Sequence, residues 1–180
     1  MRTLLAVLLL SAGLLALAAP ASGATLRVNE SLESAVVKRI NAVRRSHGLR
    51  RLRLEPRLTK AADRHAVSMG RSGYFSHDLF TPTRSPRWSL FGRWIRWFYP
   101  GPGHRSWSAG ENLAWGAPRI TARQTVRAWL RSPGHRANLL KRSWRNVGVA
   151  AVVVRDPRRY FRAWDDVTIV AAEFGRRYSR

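Results

Sequence analysis

Two apolar runs near the C-terminal end constrain the fold of this chain more than any other feature. Val147 to Val154 and Val167 to Phe174 are rich in valine and alanine, and the turn signal Asp156-Pro157 lies between them. Short β-branched runs bounded by turn residues read as strands, and these two read as an antiparallel hairpin. Upstream the period becomes helical. Ser31 can cap a helix in which Leu32, Val36, Ile40 and Val43 recur every three or four residues, with Gly48 ending it. A second helix is expected from about Pro56 to Arg71, with Pro56 in its first turn and Gly73 past its end. Its inner stripe is Leu58, Ala61, Ala62, His65 and Met69, which makes His65 a hydrogen-bonded core residue rather than a ligand. Between these helices, Leu52 and Leu54 alternate as an extended segment would. A third helix over roughly Thr121 to Arg131 turns Val126, Trp129 and Leu130 inwards, and a short fourth runs through His135 to Leu140. Helices first and strands last predict an α+β fold, the hairpin covered by helices.

The first two dozen residues read as an export signal. Arg2 supplies the positive start, Leu4 to Leu17 the apolar run, and Ala19-Pro20-Ala21 or Ser22-Gly23-Ala24 the small-residue cleavage site. Residues 25–180 are then one domain, expected in the periplasm or outside the cell, and no later run is long or apolar enough to span a bilayer. The chain has no cysteine, which excludes thiolate nucleophiles, thiolate metal sites and disulfides. Formal net charge is +23. A surface this basic attracts polyanions. Export favours anionic lipid or a cell-envelope polymer over nucleic acid, although a base composition rich in arginine codons would produce the same arginines. Oligomeric state leaves no signature.

A segment at about 81–107 changes character, with four prolines, five arginines and four of the eight tryptophans. Trp88 to Tyr99 fits a short amphipathic helix carrying Trp88, Phe91, Ile95 and Phe98 on one side, with Trp94 at its border. Arginine attracts phosphate and tryptophan suits a lipid headgroup boundary. Trp88, Arg93, Trp94, Arg96 and Trp97 are therefore candidates for a ligand-binding or membrane-facing rim. The plainer reading makes the apolar ones core and the arginines a solvated face.

Three polar signatures interrupt the apolar pattern: Tyr74-Phe75-Ser76-His77, Gly110-Glu111-Asn112-Leu113-Ala114, and Ser132-Pro133-Gly134-His135-Arg136-Ala137-Asn138. Two imidazoles and a carboxylate drawn from separate parts of a chain can ligate one divalent cation. His77, Glu111 and His135 are the candidates, with Ser132 and Asn112 as further cleft residues. The same three side chains would also serve as a hydrolase's base and orienting group. They would serve equally as a buried polar network without chemistry, Asn112 and Asn138 fixing loops by local bonds to backbone.

These signatures, with Ile40-Asn41-Ala42-Val43-Arg44 before them and Val147-Gly148-Val149 and Phe174-Gly175 after, occur in the order found in one family. The chain resembles the CAP superfamily (cysteine-rich secretory proteins, antigen 5 and pathogenesis-related 1), in its short cysteine-free bacterial branch, from about Leu32 to Gly175. The resemblance implies an α-β-α sandwich: a central antiparallel sheet flanked by helices, with a cleft. It also implies a tetrad of two His and two Glu that binds zinc or another divalent ion in some members. His77, Glu111 and His135 match three of the four. The second glutamate falls on Ser132, a poor ligand, for which Glu173 or His104 is a possible substitute. Metal binding is therefore expected to be weak or conditional, in a protein that binds a lipid or glycan rather than turning over a substrate.

Overall fold

The computed structural model describes residues 24–78, 90–104 and 106–178, leaving aside the side chain at position 93. The expected export signal up to residue 23, and Trp88 of the expected rim, lie outside the described residues. Among the described residues five strands form one sheet: β1 (Thr25–Val28), β2 (Arg53–Leu54), β3 (Trp107–Gly116), β4 (Asn146–Arg155) and β5 (Asp166–Arg177). Their order is β1-β4-β5-β3, with β2 parallel to the start of β4 and the other pairings antiparallel. The expected hairpin is β4–β5, Val154 opposite Val167 and Val147 opposite Phe174.

Directly opposed residues in an antiparallel pair share a face, and faces alternate along each strand. One face carries Leu113, Ala150, Val152, Val154, Val167, Ile169 and Ala171, packed under Ala62, Ala66 and Met69 of α2 (Pro56–Ser72). The opposite face carries Ala114, Val147, Val149, Ala151, Val170, Ala172 and Phe174. It is covered by α1 (Glu30–Ser46) and by Val126 and Trp129 of α4 (Ala122–Arg131). Burial on both faces explains why β4 and β5 read as continuous apolar runs rather than alternating ones. The short helices are α3 (Phe91–Trp94), continued as a 3-10 turn to Trp97, and α5 (Pro133–Leu139).

Local chemistry sets the helix ends. Pro56 opens α2 behind Glu55, whose side chain accepts from the Arg57 N–H, and Gly73 closes it at φ +63°. Thr121 and Gln124 form a reciprocal capping box on α4. In α1 the cap is Asn29 rather than Ser31, because the Asn29 side chain accepts from the Leu32 N–H while Ser31 donates to it from within the helix. Arg44 is fully buried at the other end of α1 and donates to the Leu139 and Lys141 carbonyls, tying α1 to the end of α5.

Candidate functional site

Glu111 lies on β3, an edge strand, with its side chain on the α2 face directly opposite Glu173 of β5. Both are buried, Glu173 completely. The His65 ring descends from α2 and its Nδ1 donates to Glu111 Oε2 at 2.5 Å. From the loop after Gly73, His77 Nδ1 donates to Glu111 Oε1 at 2.7 Å. One carboxylate thus joins an inner and an outer imidazole. His135 arrives around the sheet edge on α5, its ring centroid 6.1 Å from that of His77. Its Nδ1 bonds Ser132 Oγ at 2.9 Å. The His77, Glu111 and His135 cluster expected from the signatures is present, with Ser132 beside it.

Asn112 stands on the other face of β3 and does not line the cleft. It donates to the His135 carbonyl at 3.0 Å and accepts from Asn138, which also donates to the Glu111 carbonyl at 3.1 Å. These are long-range clips of α5 onto β3, not the local loop bonds expected, and they set where His135 hangs. Gly110 makes the clip possible, since a Cβ there would meet Asn138 Oδ1 at 2.6 Å.

Trp94 is fully buried and does not belong to a rim. Its ring meets His65 edge-on at 4.9 Å, and its Nε1 donates to the His77 carbonyl at 3.4 Å. It sits in a small core with Leu58, Ala61, Ile95 and Tyr99. Residues 94–97 are tightly wound, so Ile95 and Trp94 turn inwards while Arg96 and Trp97 stay exposed, Trp97 by 63%.

His65 and Glu173 complete the site. One ligand atom each from His65, Glu111 and Glu173 lie within 4.8 Å of one another, a His/Glu/Glu cluster able to coordinate a divalent ion. Among the described residues, His65 Nε2 and both Glu173 oxygens are buried without a hydrogen-bond partner. The inner site therefore gathers buried ligand atoms that have no hydrogen-bond partner. A cation or a proton satisfies such a set, and the residues fit a divalent ion in number and chemistry. His104 takes no part; it bonds the Pro102 carbonyl on the surface.

The electrostatics follow from burial and charge. Burial pushes the Glu111 carboxyl up, but the bonds from His65 and His77 outweigh it and hold it below the usual value. Burial and the adjacent Glu111 charge raise Glu173 well above the carboxylate range, so without a cation it keeps a proton. The bond to Glu111 raises the exposed His77 against the opposing effect of burial. His135 is lowered, first by burial and then by the His77 charge. Its ring is therefore neutral at neutral pH.

A family model described as CAP, the cysteine-rich secretory protein family, matches residues 37–169. An uncharacterized protein of Bacillus subtilis, YkwD, is 32% identical over 120 residues, covering 67% of this chain and 42% of that protein. The chain therefore spans about two-fifths of that relative. Among solved structures, an outer surface protein of Borrelia burgdorferi superposes with TM-score 0.65 at 22% identity, covering 86% of this chain and all of that one. An extracellular protein containing an SCP domain from Bacillus anthracis gives 0.60 at 25% identity, covering 81% and 40%. Among the described residues no helix is long and apolar enough to cross a membrane.

Proposed function

Because the chain belongs to the cysteine-rich secretory protein family, in a form without cysteine, we propose that it is an exported binding module. Its cleft holds a divalent cation, and the molecule engages an anionic lipid or polymer of the cell envelope. Export is supported by the leader-like first 24 residues and by relatives described as outer-surface or extracellular. The observation that carries the metal reading is the buried carboxylate pair. Glu173 supplies the second negative charge that Ser132 does not, from β5 instead of from the end of α4. Glu111 is the shared anchor, with His65 beneath it and His77 and His135 towards solvent. When bound, zinc or a similar ion would polarise a ligand oxygen or acidify a water. The protein's own residues orient the site: His77 and His65 fix the Glu111 carboxylate, while Trp94 packs on the His65 ring and bonds the His77 backbone carbonyl.

Both Glu111 oxygens already accept from imidazoles, and Glu173 must lose its proton before it can ligate. Affinity is therefore weak and rises with pH. Zinc titration by calorimetry, with bound metal counted after gel filtration, tests this. Glu173→Gln should weaken binding by at least about 10-fold, since losing a group that only orients a ligand already costs about 10–100-fold. Unchanged affinity in that variant sinks the reading.

One observation favours a second reading, a His-dependent hydrolase. Neutral, half-exposed His135 is oriented by Ser132 and leaves Nε2 free to take a proton from water. His135→Ala that folds but loses a measured turnover would establish it; retained turnover would end it.

A further inference from the structure

The loop from Asp156 to Asp165, which joins β4 to β5, carries Tyr160 and Trp164 at 54% and 40% exposure. The two rings are not loose. Tyr160 stacks on Phe75, with centroids 6.2 Å apart and planes 21° from parallel. Trp164 meets Trp115 at 4.7 Å and 65°. Trp115 lies on β3, four residues beyond Glu111 and on the same face, about 13 Å along the strand. Phe75 lies two residues before His77. The aromatic surface therefore continues outward from the cleft.

The backbone of this loop is over-determined. Asp156 and Arg159 sit at φ +50° and +52°, a region that side chains other than glycine rarely adopt. The Asp156 N–H donates to the Asp165 carbonyl at 2.9 Å, and the Tyr160 N–H to the Gly73 carbonyl at 3.1 Å. The contact is so close that a Cβ on Gly73 would lie 2.3 Å from the Arg158 carbonyl oxygen. A fold that spends backbone strain and anchoring bonds on presenting two rings to water has pre-organised them for a partner.

We propose that this platform binds an acidic polysaccharide, an inference that rests on the reading of the protein as an envelope-facing module. Pyranose rings present flat arrays of C–H bonds, which pack on aromatic faces, and ring hydroxyls, which need polar neighbours. Tyr160 and Trp164 supply the faces. Arg158 and Arg162, both exposed, flank Tyr160 on the same loop, Arg162 between the two rings in sequence, and supply donors for carboxylates or phosphodiesters along the chain. The net charge of +23 favours an acidic polymer over a neutral one. An anionic bilayer fits less well. Rings that insert into a headgroup layer project outward, whereas these lie against Phe75 and Trp115 and are half covered.

The test is binding of the full mature chain to alginate, a polymer of uronic acids, in 0.3 M sodium chloride. Polyphosphate serves as the charge-only comparison and anionic phospholipid vesicles as the competing class. The double variant Tyr160→Ala/Trp164→Ala should bind alginate about ten-fold more weakly, the loss of two ring contacts, and polyphosphate as before. Tyr160→Phe, which keeps the ring, should match the wild type, and a thermal melt of the double variant that stays cooperative shows that its weaker alginate binding is not lost fold. Equal losses on alginate and polyphosphate, or binding lost on vesicles but not on alginate, would overturn the proposal. Alginate binding indifferent to both rings overturns this platform alone. No wild-type binding to alginate or to vesicles overturns the envelope reading with it.

Discussion

Glu111 is held by two imidazoles, so its removal tests the site as a structure before any ligand is considered. In Glu111→Ala the His65 Nδ1–H is buried with no acceptor, a loss of about 2–4 kcal/mol in urea denaturation. Glu111→Gln keeps one acceptor oxygen and should lose roughly half as much. Glu173 adds a pH dependence of the opposite kind to an ordinary acid. Its folded pKa is raised above the usual value of 4.5, so the folded state binds more protons above that pH. In chelator, the Glu173 contribution to stability should therefore fall as pH rises above about 4.5 through the raised folded value. Glu173→Gln lacks that dependence, and its melting temperature relative to wild type should climb by a few degrees between pH 4.5 and pH 8. A flat difference across that range would mean that Glu173 is not protonated in the fold. The sequence does carry a signal for Glu173: an acid inside the run Val167 to Phe174, whose neighbours are buried on both faces. A charge in such a run must be partnered. Its partner cannot be read without the register that sets it opposite Glu111. His65 was legible as a buried, hydrogen-bonded residue for the same reason, an imidazole on an apolar stripe, but not as a member of the site.

At the scale of elements, the docking of α2 on the sheet brings His65 to the carboxylates, and Gly148 permits that docking. A Cβ on Gly148 would lie 2.0 Å from the Thr59 nitrogen and 2.1 Å from the Leu58 carbonyl carbon, both backbone atoms that cannot turn aside. Gly148→Ala should cost about 3 kcal/mol or more and disturb the His65–Glu111 bond. Gly134→Ala, with nothing within 4 Å of the new methyl inside α5, should be neutral or stabilising by up to about 1 kcal/mol. Thermal melts of the two variants separate a packing glycine from a merely helical one. Helices α1, α2, α4 and α5 and the β4–β5 hairpin were legible from period and end signals, with the α1 cap displaced from Ser31 to Asn29. Two strands were not. In β3 the face towards α2 carries Ala109, Glu111, Leu113 and Trp115, and the charged member hides the alternation. In β1 only four residues pair, adjacent to the expected leader, and they are ordered by β4 rather than by their own pattern.

At the scale of the molecule, the sign of the whole charge opposes the site it encloses. A protein of formal charge +23 repels an approaching dication, while the buried Glu111 carboxylate, joined by Glu173 once it gives up its proton, attracts it only at short range. Salt screens exposed charges across a Debye length, about 10 Å at 0.1 M, and reaches buried pairs much less. Raising ionic strength from about 10 to 150 mM should therefore weaken the repulsion more than the attraction. Zinc affinity at fixed pH should rise a few-fold, against the usual direction for a metal bound by acids. Sodium nitrate is the suitable salt, because chloride itself ligates zinc. Binding to an acidic polymer should move the other way in the same series, since there the surface arginines attract the ligand. If zinc affinity falls with salt alongside polymer binding, the ion is responding to exposed acids elsewhere on the surface, and the pair between β3 and β5 does not hold it.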